Sequence, residues 1–353
     1  VIRVGAVVMK ILEYHEKPHP SRVAERKEDP GKRIIREEAL SEFKYNPDGT
    51  VEAFLNEHRR ESAVRTITAH QAVWYGGLLF VLFLLLNYDW LYFLTIVNFV
   101  FASFYIVTIL YKLLTVVFSV VKKSEIVISQ EEISDLEDED LPVYTILVPL
   151  YRETEVSEKI IQAIDALDYP KTKLDVKLLL EADDTDTLEV CRRNLPPYCE
   201  IIIVPDVKPK TKPRACNHGL KHARGKYLVI FDAEDRPEKD QLKKAVAAFT
   251  RHPEIPCFQT KLNYYNSDQN FLTKWFTVEY SAWFDLFLPG LHFQKAPIPL
   301  GGTSNHFETA VLRKVGGWDP FNVTEDADLG IRLYKYGYQT MVLDSTTWEE
   351  ANS

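Results

Sequence analysis

Two long runs of apolar residues dominate the first third of the chain. Residues 66–88 and 90–111 contain no Lys, Arg, Asp or Glu, and the short polar connector Asn87–Trp90 joins them. A 22-residue helix is about 33 Å long, which is enough to cross the hydrocarbon core of a bilayer. The pattern therefore predicts a two-helix transmembrane hairpin within residues 66–121. The alternative is a buried helical pair of a soluble protein, but consecutive charge-free runs of this length are rare in soluble domains.

Basic residues flank this hairpin on both sides. Arg59, Arg60 and Arg65 precede it, and Lys122 and Lys123 follow it. Because positive charge concentrates on the cytoplasmic side of a membrane, both ends of the hairpin are predicted to be cytoplasmic. We therefore expect a multi-pass protein of the inner or plasma membrane, with the domain that follows the hairpin in the cytoplasm.

Charged segments lie before and after the hairpin. Residues 1–65 are interrupted by prolines and are predicted to form a small or partly disordered cytosolic segment, with a helix at Glu52–Arg65 that leads to the membrane. Because the chain starts with Val1, we expect its N-terminus to be incomplete. Residues 122–141 are predicted to be an acidic linker, since the charge run Ser129–Asp140 is typical of a solvated tether.

Beyond residue 142 the pattern changes to short apolar strands that alternate with helices. Strands that alternate with helices predict an α/β fold with a mostly parallel sheet that is covered on both faces. In such sheets, ligands bind beyond the carboxyl ends of the strands. The predicted strands are residues 144–149, 176–180, 200–204 and 226–231, and the predicted helices are residues 156–167 and 214–223.

Acidic residues follow two of these strands. Asp183 and Asp184 come after the second strand, and Asp232 ends the fourth, with Glu234 two residues further on. An acid-x-acid pair at a strand end offers oxygen ligands to Mg²⁺ or Mn²⁺, which often keep substrate phosphates in their coordination shell. One such pair alone is more often a solvated turn, but two acidic turns at strand ends of one domain favour a site. Asp235 is the alternative to Glu234 as the second ligand.

Six short motifs occur in the order that is known from family-2 glycosyltransferases. Over residues 142–353 the chain resembles the membrane-embedded branch of that family, which includes cellulose and hyaluronan synthases. The resemblance implies a GT-A (Rossmann-like) fold and the inverting transfer of a hexose from a UDP-linked nucleotide sugar to a growing polysaccharide. The motifs are Val148–Glu153, Glu181–Asp184, Lys212–Asn217, Phe231–Asp235, Gly301–Asn305 and Thr324–Asp326.

The resemblance also implies roles for the acidic residues. Asp183 and Asp184 would contact the base or ribose of the donor. Asp232 and Glu234 would match the family's metal-binding Asp-x-Asp pair, with Glu in place of the second Asp. Asp326 would be the general base that takes the proton of the acceptor hydroxyl, although a carboxylate at this position could also cap the helix that follows.

Other residues are assigned to the donor and the acceptor with a structural alternative beside each. Lys212 and Arg214 lie in a basic loop that could bind the diphosphate or could be solvated. Trp318 could stack on the acceptor sugar or fill the core, and His306 is expected to be a packed histidine. By resemblance, the acceptor-binding residues are Gly301, Gly302, Thr303, Trp318 and Glu325.

Composition excludes some classes of function. With 42 basic and 51 acidic residues, the formal net charge is −9, which argues against a nucleic-acid-binding protein. The four cysteines show no Cys-x-x-Cys spacing and are predicted to be reduced, buried thiols of a cytosolic domain. The partners implied instead are a nucleotide-sugar donor, a glycan or lipid-linked acceptor and the membrane.

Two alternatives to a polysaccharide synthase stay open at this point. One is a non-processive transferase that adds a single sugar to a lipid or an envelope glycan. The other is a non-catalytic membrane receptor or scaffold on the same fold, which is disfavoured because Asp184, Asp232 and Asp326 are all present. Polymer-forming relatives carry a Gln-x-x-Arg-Trp motif after the Thr-Glu-Asp motif, so we expect the catalytic domain to be truncated ahead of it.

Overall fold

The computed structural model describes residues 49–59, 61–122, 124–154, 157–193 and 195–351. A π-helical turn at Ala282–Phe287 joins two of the helices, and a 3₁₀ turn at Lys171–Lys173 precedes the second strand. The α-helices are α1 Thr50–His58, α2 Ala69–Tyr88, α3 Trp90–Lys122, α4 Gln130–Ser134, α5 Ser157–Asp165, α6 Thr185–Arg193, α7 Lys212–His222, α8 Gln241–Arg251, α9 Phe271–Ser281, α10 Leu288–Phe293, α11 Thr309–Lys314 and α12 Glu325–Lys335. The strands are β1 Tyr144–Leu150, β2 Leu174–Glu181, β3 Cys199–Val204, β4 Tyr227–Ile230, β5 Arg236–Pro237, β6 Cys257–Tyr264, β7 Asn305–Glu308 and β8 Thr340–Glu349.

Helices α2 and α3 form the predicted apolar pair. They have 20 and 33 residues, and each is long and apolar enough to cross a membrane. No residue in the most apolar stretch of each is buried, whereas the helices of a soluble core would be covered. Helix α3 continues past its charge-free run to Lys122, close to the predicted end of the hairpin at residue 121. Its last turns pack against α10, where Gln294 Nε2 donates a 2.8 Å hydrogen bond to Thr115 Oγ1 and Gly290 leaves no room for a Cβ atom.

The eight described strands form one sheet in the order β3-β2-β1-β4-β7-β6-β8-β5. The first four are parallel, as predicted, and their helices cover the sheet. The sheet as a whole is mixed: β6 runs parallel to β8, whereas β7 runs antiparallel to both β4 and β6, and β5 runs antiparallel to β8. The hydrophobic pattern did not indicate β5 to β8, since these strands are short or carry polar residues.

Apolar side chains fill both faces of the sheet, which explains the continuous apolar runs of its central strands. Neighbouring residues on β1 point to opposite faces: Ile146 and Val148 lie in one hydrophobic cluster, and Leu147 lies in the other. Such burial on both faces is usual for parallel strands. All four cysteines are free and buried, as predicted.

The acidic segment after α3 is part of the folded domain and not a free tether. Its charged side chains face solvent, but Ile128, Ile133 and Leu141 are buried in the core. Ile126 also forms a parallel β-bridge with Leu343 of β8. The prediction of a solvated linker over residues 122–141 is therefore wrong, because three apolar residues spaced among the acids anchor the segment.

The described part of the N-terminal segment is also folded. Helix α1 ends at His58, whereas the sequence predicted a helix that continues to Arg65. Val51, Phe54 and Leu55 of this helix are buried. Residues 1–48, on which the prediction of partial disorder falls, lie outside the described residues.

Candidate active site

A cavity of about 330 Å³ opens beyond the carboxyl ends of β1, β2 and β4. This is the edge of the sheet at which parallel α/β folds bind ligands. The turn after β4 contributes Asp232 and Glu234, so both candidate metal ligands face the cavity, as the strand-end rule predicts. The first turn of α7 contributes Thr211, Lys212 and Ala215 to another wall. The remaining lining residues are Pro149, Leu150, Tyr151, Glu153, Leu179, Glu181, Lys210 and Ala233.

Lys212 lies in the cavity wall and makes charge-assisted contacts with its neighbours. Its Nζ lies 2.7 Å from Oδ1 and 2.9 Å from Oδ2 of Asp232, and it donates a further hydrogen bond of 2.5 Å to the carbonyl oxygen of Gly302. Burial alone would lower the pKa of Lys212, but the carboxylates of Asp232 and Asp326 raise it. The lysine is therefore a permanent positive charge at the site.

Further carboxylates surround Asp232 and leave the site rich in negative charge. Burial, followed by repulsion from Glu234 and Asp232, raises the pKa of Glu153 to about 7. The pKa of Glu349 is also raised to about 7, by burial and then by Asp232 and Glu234. Burial and Asp232 raise the pKa of Glu234 as well. Carboxylates that repel each other in this way favour the binding of a cation.

The sequence analysis missed Glu153 and Glu349 as members of this site. Glu153 follows the end of β1 by three residues, so the strand-end rule that selected Asp232 could have found it. Glu349 ends β8, which was not recognised as a strand. No local signal marks Glu349, because only the pairing of β8 with β6 brings it to this edge of the sheet.

The acidic side chains suit a divalent cation that is shared with a ligand. Within the described residues, no group of three or more His, Cys, Asp or Glu side chains has the spacing to hold a metal ion alone. Asp232 and Glu234 could supply two ligands, and Mg²⁺ in particular is often bound by one or two carboxylates together with water and substrate phosphates. The residues present therefore fit a cation that arrives with a phosphorylated donor.

Asp235 shapes this turn from within and does not face the cavity. It is 1% exposed, and its Oδ2 accepts hydrogen bonds from the backbone N–H of Asp232, at 2.7 Å, and from the hydroxyl of Thr303. Burial and the charge of Asp232 raise its pKa well above the usual range. Asp235 is thus a poor alternative to Glu234 as a metal ligand.

The glycine-rich loop meets the site through its backbone. Thr303 was assigned to the acceptor, but it is 1% exposed and bonded to Asp235, so it cannot touch a substrate in this arrangement. Gly301 packs against the ring of Phe284. Gly302 is exposed, has open space around its Cα and offers its carbonyl oxygen to Lys212. Of the three loop residues assigned to the acceptor, Gly302 is the one that contacts Lys212 in the cavity wall.

The acidic residues of the turn after β2 are bound by other groups of the protein. Asp184 is buried, and its carboxylate accepts the backbone N–H of Arg152, at 2.5 Å, and that of Thr187, at 3.2 Å, which caps α6. Asp183 is one-third exposed and pairs with Lys210 at 2.7 Å. Both lie next to the cavity rather than in its lining, so a contact with the donor's base or ribose stays a prediction.

Arg214 does not reach the cavity, contrary to its assignment to the donor. Its side chain is 0% exposed, and its guanidinium lies 2.8 Å from Glu181 Oε2 and donates to the carbonyl oxygen of Pro205. Burial raises the pKa of Glu181, although the charge of Arg214 opposes that effect. The arginine points inward because α7 turns its side chain towards the sheet, two positions after the lysine that faces the cavity.

Asp326 lies at the start of α12 and within electrostatic reach of the same cluster. It is 5% exposed, and its Oδ1 accepts a 3.1 Å hydrogen bond from Trp318 Nε1. Burial raises its pKa well above the usual range, Lys212 opposes this, and Glu325 and Asp232 add to it. The pKa of the neighbouring Glu325, which is 8% exposed, is raised by burial too.

Trp318 fills the core, contrary to its assignment to the acceptor. Its side chain is 1% exposed and packs edge-on against Phe307. Its one polar atom, Nε1, is directed at Asp326, so the ring orients that carboxylate and does not stack on a sugar. His306 is likewise buried next to the hydroxyl of Tyr144, and burial lowers its pKa to about 3, which confirms the prediction of a packed histidine.

Comparison with known proteins gives a family match for this domain. A family model described as "Glycosyltransferase like family 2" matches residues 142–353. The probable glycosyltransferase YdaM of Bacillus subtilis (strain 168) is 27% identical over 218 residues, which cover 60% of this chain and 51% of that protein. The probable glucomannan 4-beta-mannosyltransferase 15 of Arabidopsis thaliana is 25% identical over 219 residues, which cover 60% of this chain and 41% of that protein. The chain thus spans about half the length, or less, of these curated relatives.

Similar solved structures include a mannosyltransferase, PcManGT from Pyrobaculum calidifontis, in complex with GDP-Man and Mn²⁺. It is 23% identical with a TM-score of 0.47, and the match covers 60% of this chain and 59% of that one. The match of the family model confirms the resemblance seen in the motifs and the GT-A-like class of the mixed α/β fold.

Proposed function

The chain belongs to glycosyltransferase-like family 2, and from that premise we propose that it transfers a hexose from a nucleotide sugar to a growing polysaccharide, with inversion at the anomeric carbon. One observation carries the proposal: the Lys212–Asp232 pair and Glu234 line one cavity, and the buried carboxylate of Asp326 lies within electrostatic reach of Lys212 and Asp232. A donor diphosphate needs positive charge, which Lys212 offers, and an acceptor hydroxyl needs a base, which Asp326 could supply next to the cavity.

The donor diphosphate would bind at the start of α7. Thr211, Lys212 and Ala215 of this helix line the cavity, so its first free backbone N–H groups are available to phosphate oxygens. The ammonium group of Lys212 adds a full positive charge at the same place. A helix N-terminus with an adjacent lysine is suited to the negative charge that develops on a leaving diphosphate.

Asp232 and Glu234 would hold Mg²⁺ or Mn²⁺, which when bound would neutralise charge on the leaving diphosphate. The excess of carboxylates around Asp232 supports this role, because Glu153 and Glu349 both have pKa values raised to about 7. The positive charge of Lys212 lowers the pKa of both residues, but one lysine can balance only one of the negative charges. Asp232 presents both carboxylate oxygens towards Lys212 and is thereby oriented into the cavity.

Asp326 would accept the proton of the attacking acceptor hydroxyl. A sugar hydroxyl is a weak nucleophile, so the base must lie within about 2.6–3.2 Å of it in the reactive complex. Trp318 Nε1 fixes Oδ1 of Asp326, which leaves Oδ2 for the proton. Because burial raises the pKa of Asp326, its carboxylate is a stronger proton acceptor than an exposed aspartate would be.

The acceptor would approach between Gly302 and the start of α12. Gly302 has open space around its Cα and contacts Lys212 of the cavity wall, and Glu325 precedes the base, so both would lie near the acceptor hydroxyl. Helices α2 and α3 would anchor this domain in the inner or plasma membrane, with the site on the cytoplasmic side where nucleotide sugars are made. The glycan acceptor would then be extended at the membrane surface.

The test is a panel of nucleotide sugars given to the complete protein in membranes. UDP-linked hexoses are our first expectation for the donor, and the names of the relatives bring GDP-mannose into the panel. Release of nucleoside diphosphate and the anomeric configuration of the product are measured. Products with many added sugars support the polysaccharide reading, whereas one added sugar on a lipid acceptor favours the non-processive alternative. No transfer from any donor contradicts the proposal.

Asp326→Asn tests the base assignment within the same assay. We expect kcat to fall by about 10²- to 10⁴-fold, because the amide cannot take the proton, while the affinity for the nucleotide stays within about twofold. The asparagine keeps the size of the side chain and can still accept from Trp318. Transfer at the rate of the unmodified protein would remove Asp326 from this role.

A further inference from the structure

The segment that precedes α2 packs against the domain close to the proposed base, Asp326. We define residues 50–59 and 61–63, which comprise α1 and the described residues of the turn after it, as the N-terminal clamp. Helix α2 begins at Ala69, only six residues beyond the clamp. The clamp lies outside the matched family region 142–353, so the family match says nothing about it.

Apolar and aromatic contacts anchor the clamp on α12 and on the turn before it. Phe54 is 3% exposed and lies under the guanidinium of Arg332, 4.9 Å from the centre of its ring. His58 is also buried and packs so tightly on Gly316 that a Cβ atom there would come within 2.4 Å of the imidazole Nε2. Gly316 has a φ of +84°, which further restricts this position to glycine. The clamp therefore has one well-defined seat.

The end of the clamp supplies hydrogen bonds to a buried carboxylate. Asp319 is 0% exposed. Its Oδ1 accepts a 3.0 Å hydrogen bond from Ser62 Oγ, and its Oδ2 accepts a 2.6 Å hydrogen bond from the backbone N–H of Ala63. The backbone N–H of Phe321 donates to the same Oδ1 at 3.1 Å. A buried carboxylate needs such donors, so the turn around Asp319 depends on the clamp.

The turn around Asp319 contacts the proposed site at two places, the base Asp326 and the start of α7. On one side, Trp318 directly precedes Asp319 and donates through Nε1 to Oδ1 of Asp326. On the other side, the carbonyl oxygen of Pro320 accepts a 2.9 Å hydrogen bond from Thr211 Oγ1, at the residue before Lys212. A displacement of the turn would thus move the base and the first turn of α7 together.

We propose that the N-terminal clamp positions the catalytic site: through Asp319, it fixes Trp318 and thereby the orientation of Asp326. The inference rests on the proposed function, because it assigns a purpose to the orientation of the base. Ser62 and Asp319 are positioning residues here, since neither reaches the cavity. The clamp supplies two of the three hydrogen bonds to Asp319 described above, and these come from a part of the chain more than 250 residues away.

Ser62→Ala in the complete, membrane-inserted protein tests the proposal. It removes one hydrogen bond to Asp319 and leaves every lining residue of the cavity in place. We expect kcat to fall about tenfold with the donor KM within about twofold, because small misplacements of a catalytic group reduce the chemical step more than binding. Ser62→Thr keeps the hydroxyl and is expected to recover most of the rate. Ser134→Ala is the matched control, since its 2.8 Å hydrogen bond lies within the exposed helix α4.

Two further measurements separate positioning from a general loss of structure. Hydrogen exchange of the backbone N–H groups of residues 325–328 should be faster in Ser62→Ala and unchanged in Ser134→Ala. Combining Ser62→Ala with Trp318→Phe should cost less than the product of the two single effects on kcat, because both act through the same contact with Asp326.

The outcomes are distinct from those for the proposed function. An unchanged kcat and unchanged hydrogen exchange in Ser62→Ala would overturn the proposal. Equal losses of activity in Ser62→Ala and Ser62→Thr, in proportion to the loss of folded protein, would also overturn it. If the unmodified protein transfers no sugar at all, the proposed function fails instead. Exchange at residues 325–328 then still decides whether the clamp orders the start of α12.

Discussion

Replacing Lys212 by methionine would remove the ammonium group that pairs with Asp232 at the centre of the cavity wall. Nζ lies 2.7 Å from Asp232 Oδ1, and at an effective dielectric constant of about 20 the gross attraction is about 6 kcal/mol. Water screens the pair, because Lys212 is 29% exposed and Asp232 is 34% exposed. The net loss should therefore lie between that of a surface pair and that of a buried pair, at about 2 kcal/mol.

The size of this loss should depend on pH, and the pKa values of the neighbours give its sign. Glu153 and Glu349 have pKa values of about 7 in the folded protein, above the ordinary value of 4.5. The folded protein therefore favours the protonated forms of both residues. The stability that this preference contributes is fully present at low pH and is lost as the pH rises through about 7. Lys212 opposes that loss, since its charge lowers both pKa values. The variant should be destabilised more at pH 8 than at pH 5.5.

Thermal unfolding of the protein in detergent measures the effect without any substrate. A loss of about 2 kcal/mol corresponds to a decrease in Tm of about 4–8 °C for a domain of this size. We expect that decrease for Lys212→Met at pH 8 and a smaller one at pH 5.5. Equal decreases at both pH values would refute the reasoning, because the carboxylates would then not depend on the lysine.

Lys210→Met provides the matched control for this experiment. Lys210 lies in the same loop and pairs with Asp183 and Asp206, each at 2.7 Å. Its hydrogen bond lowers the pKa of Asp183, so this carboxylate stays ionised between pH 5.5 and pH 8. The effect of Lys210→Met on Tm should therefore be the same at both pH values. A pH dependence like that of Lys212→Met would mean that the loop as a whole, and not the cavity, is responsible.

Two further predictions concern the metal and the buried arginine. Asp232→Ala should weaken nucleotide binding by about tenfold or more in Mn²⁺ and far less in EDTA, as measured by titration calorimetry, because the site loses one of its two proposed ligands; equal losses in both buffers would exclude a metal role. Arg214→Met should lower the free energy of unfolding by about 3–5 kcal/mol, because Glu181 would keep a buried charge without its partner, while the affinity of each folded molecule for the donor stays unchanged. A specific loss of donor affinity would instead support the sequence-based prediction that Arg214 contacts the donor directly.

Features that depend on neighbouring residues in the chain could be predicted from the sequence. The two apolar runs indicated α2 and α3, and the first four strands were found within a few residues of their ends. The position of Asp232 and Glu234 at the mouth of the cavity also follows from a local rule, since the carboxyl end of a buried parallel strand must open at one edge of the sheet. The ordered motifs then indicated the family.

Side-chain direction within these motifs was not accessible from the sequence. Lys212 and Arg214 are two positions apart on one helix, so one faces the cavity and the other is buried with Glu181. Thr303 and Trp318 were both assigned to the acceptor, but both turn inward and form hydrogen bonds with Asp235 and Asp326. A motif shows which residues lie near a site, and only their packing decides which of them can touch a substrate.

The sequence by itself determined the two long apolar helices, the α/β class of the domain and the strand end that carries the candidate metal ligands. Each of these follows from a hydrophobic pattern within a few turns or one strand. Only the tertiary structure brought Glu349 and Glu153 to Asp232, and only it seated the N-terminal clamp on Asp319. The reason is physical: contacts between residues some 80 to 260 positions apart are set by strand order and packing, which no local pattern of polar and apolar residues records.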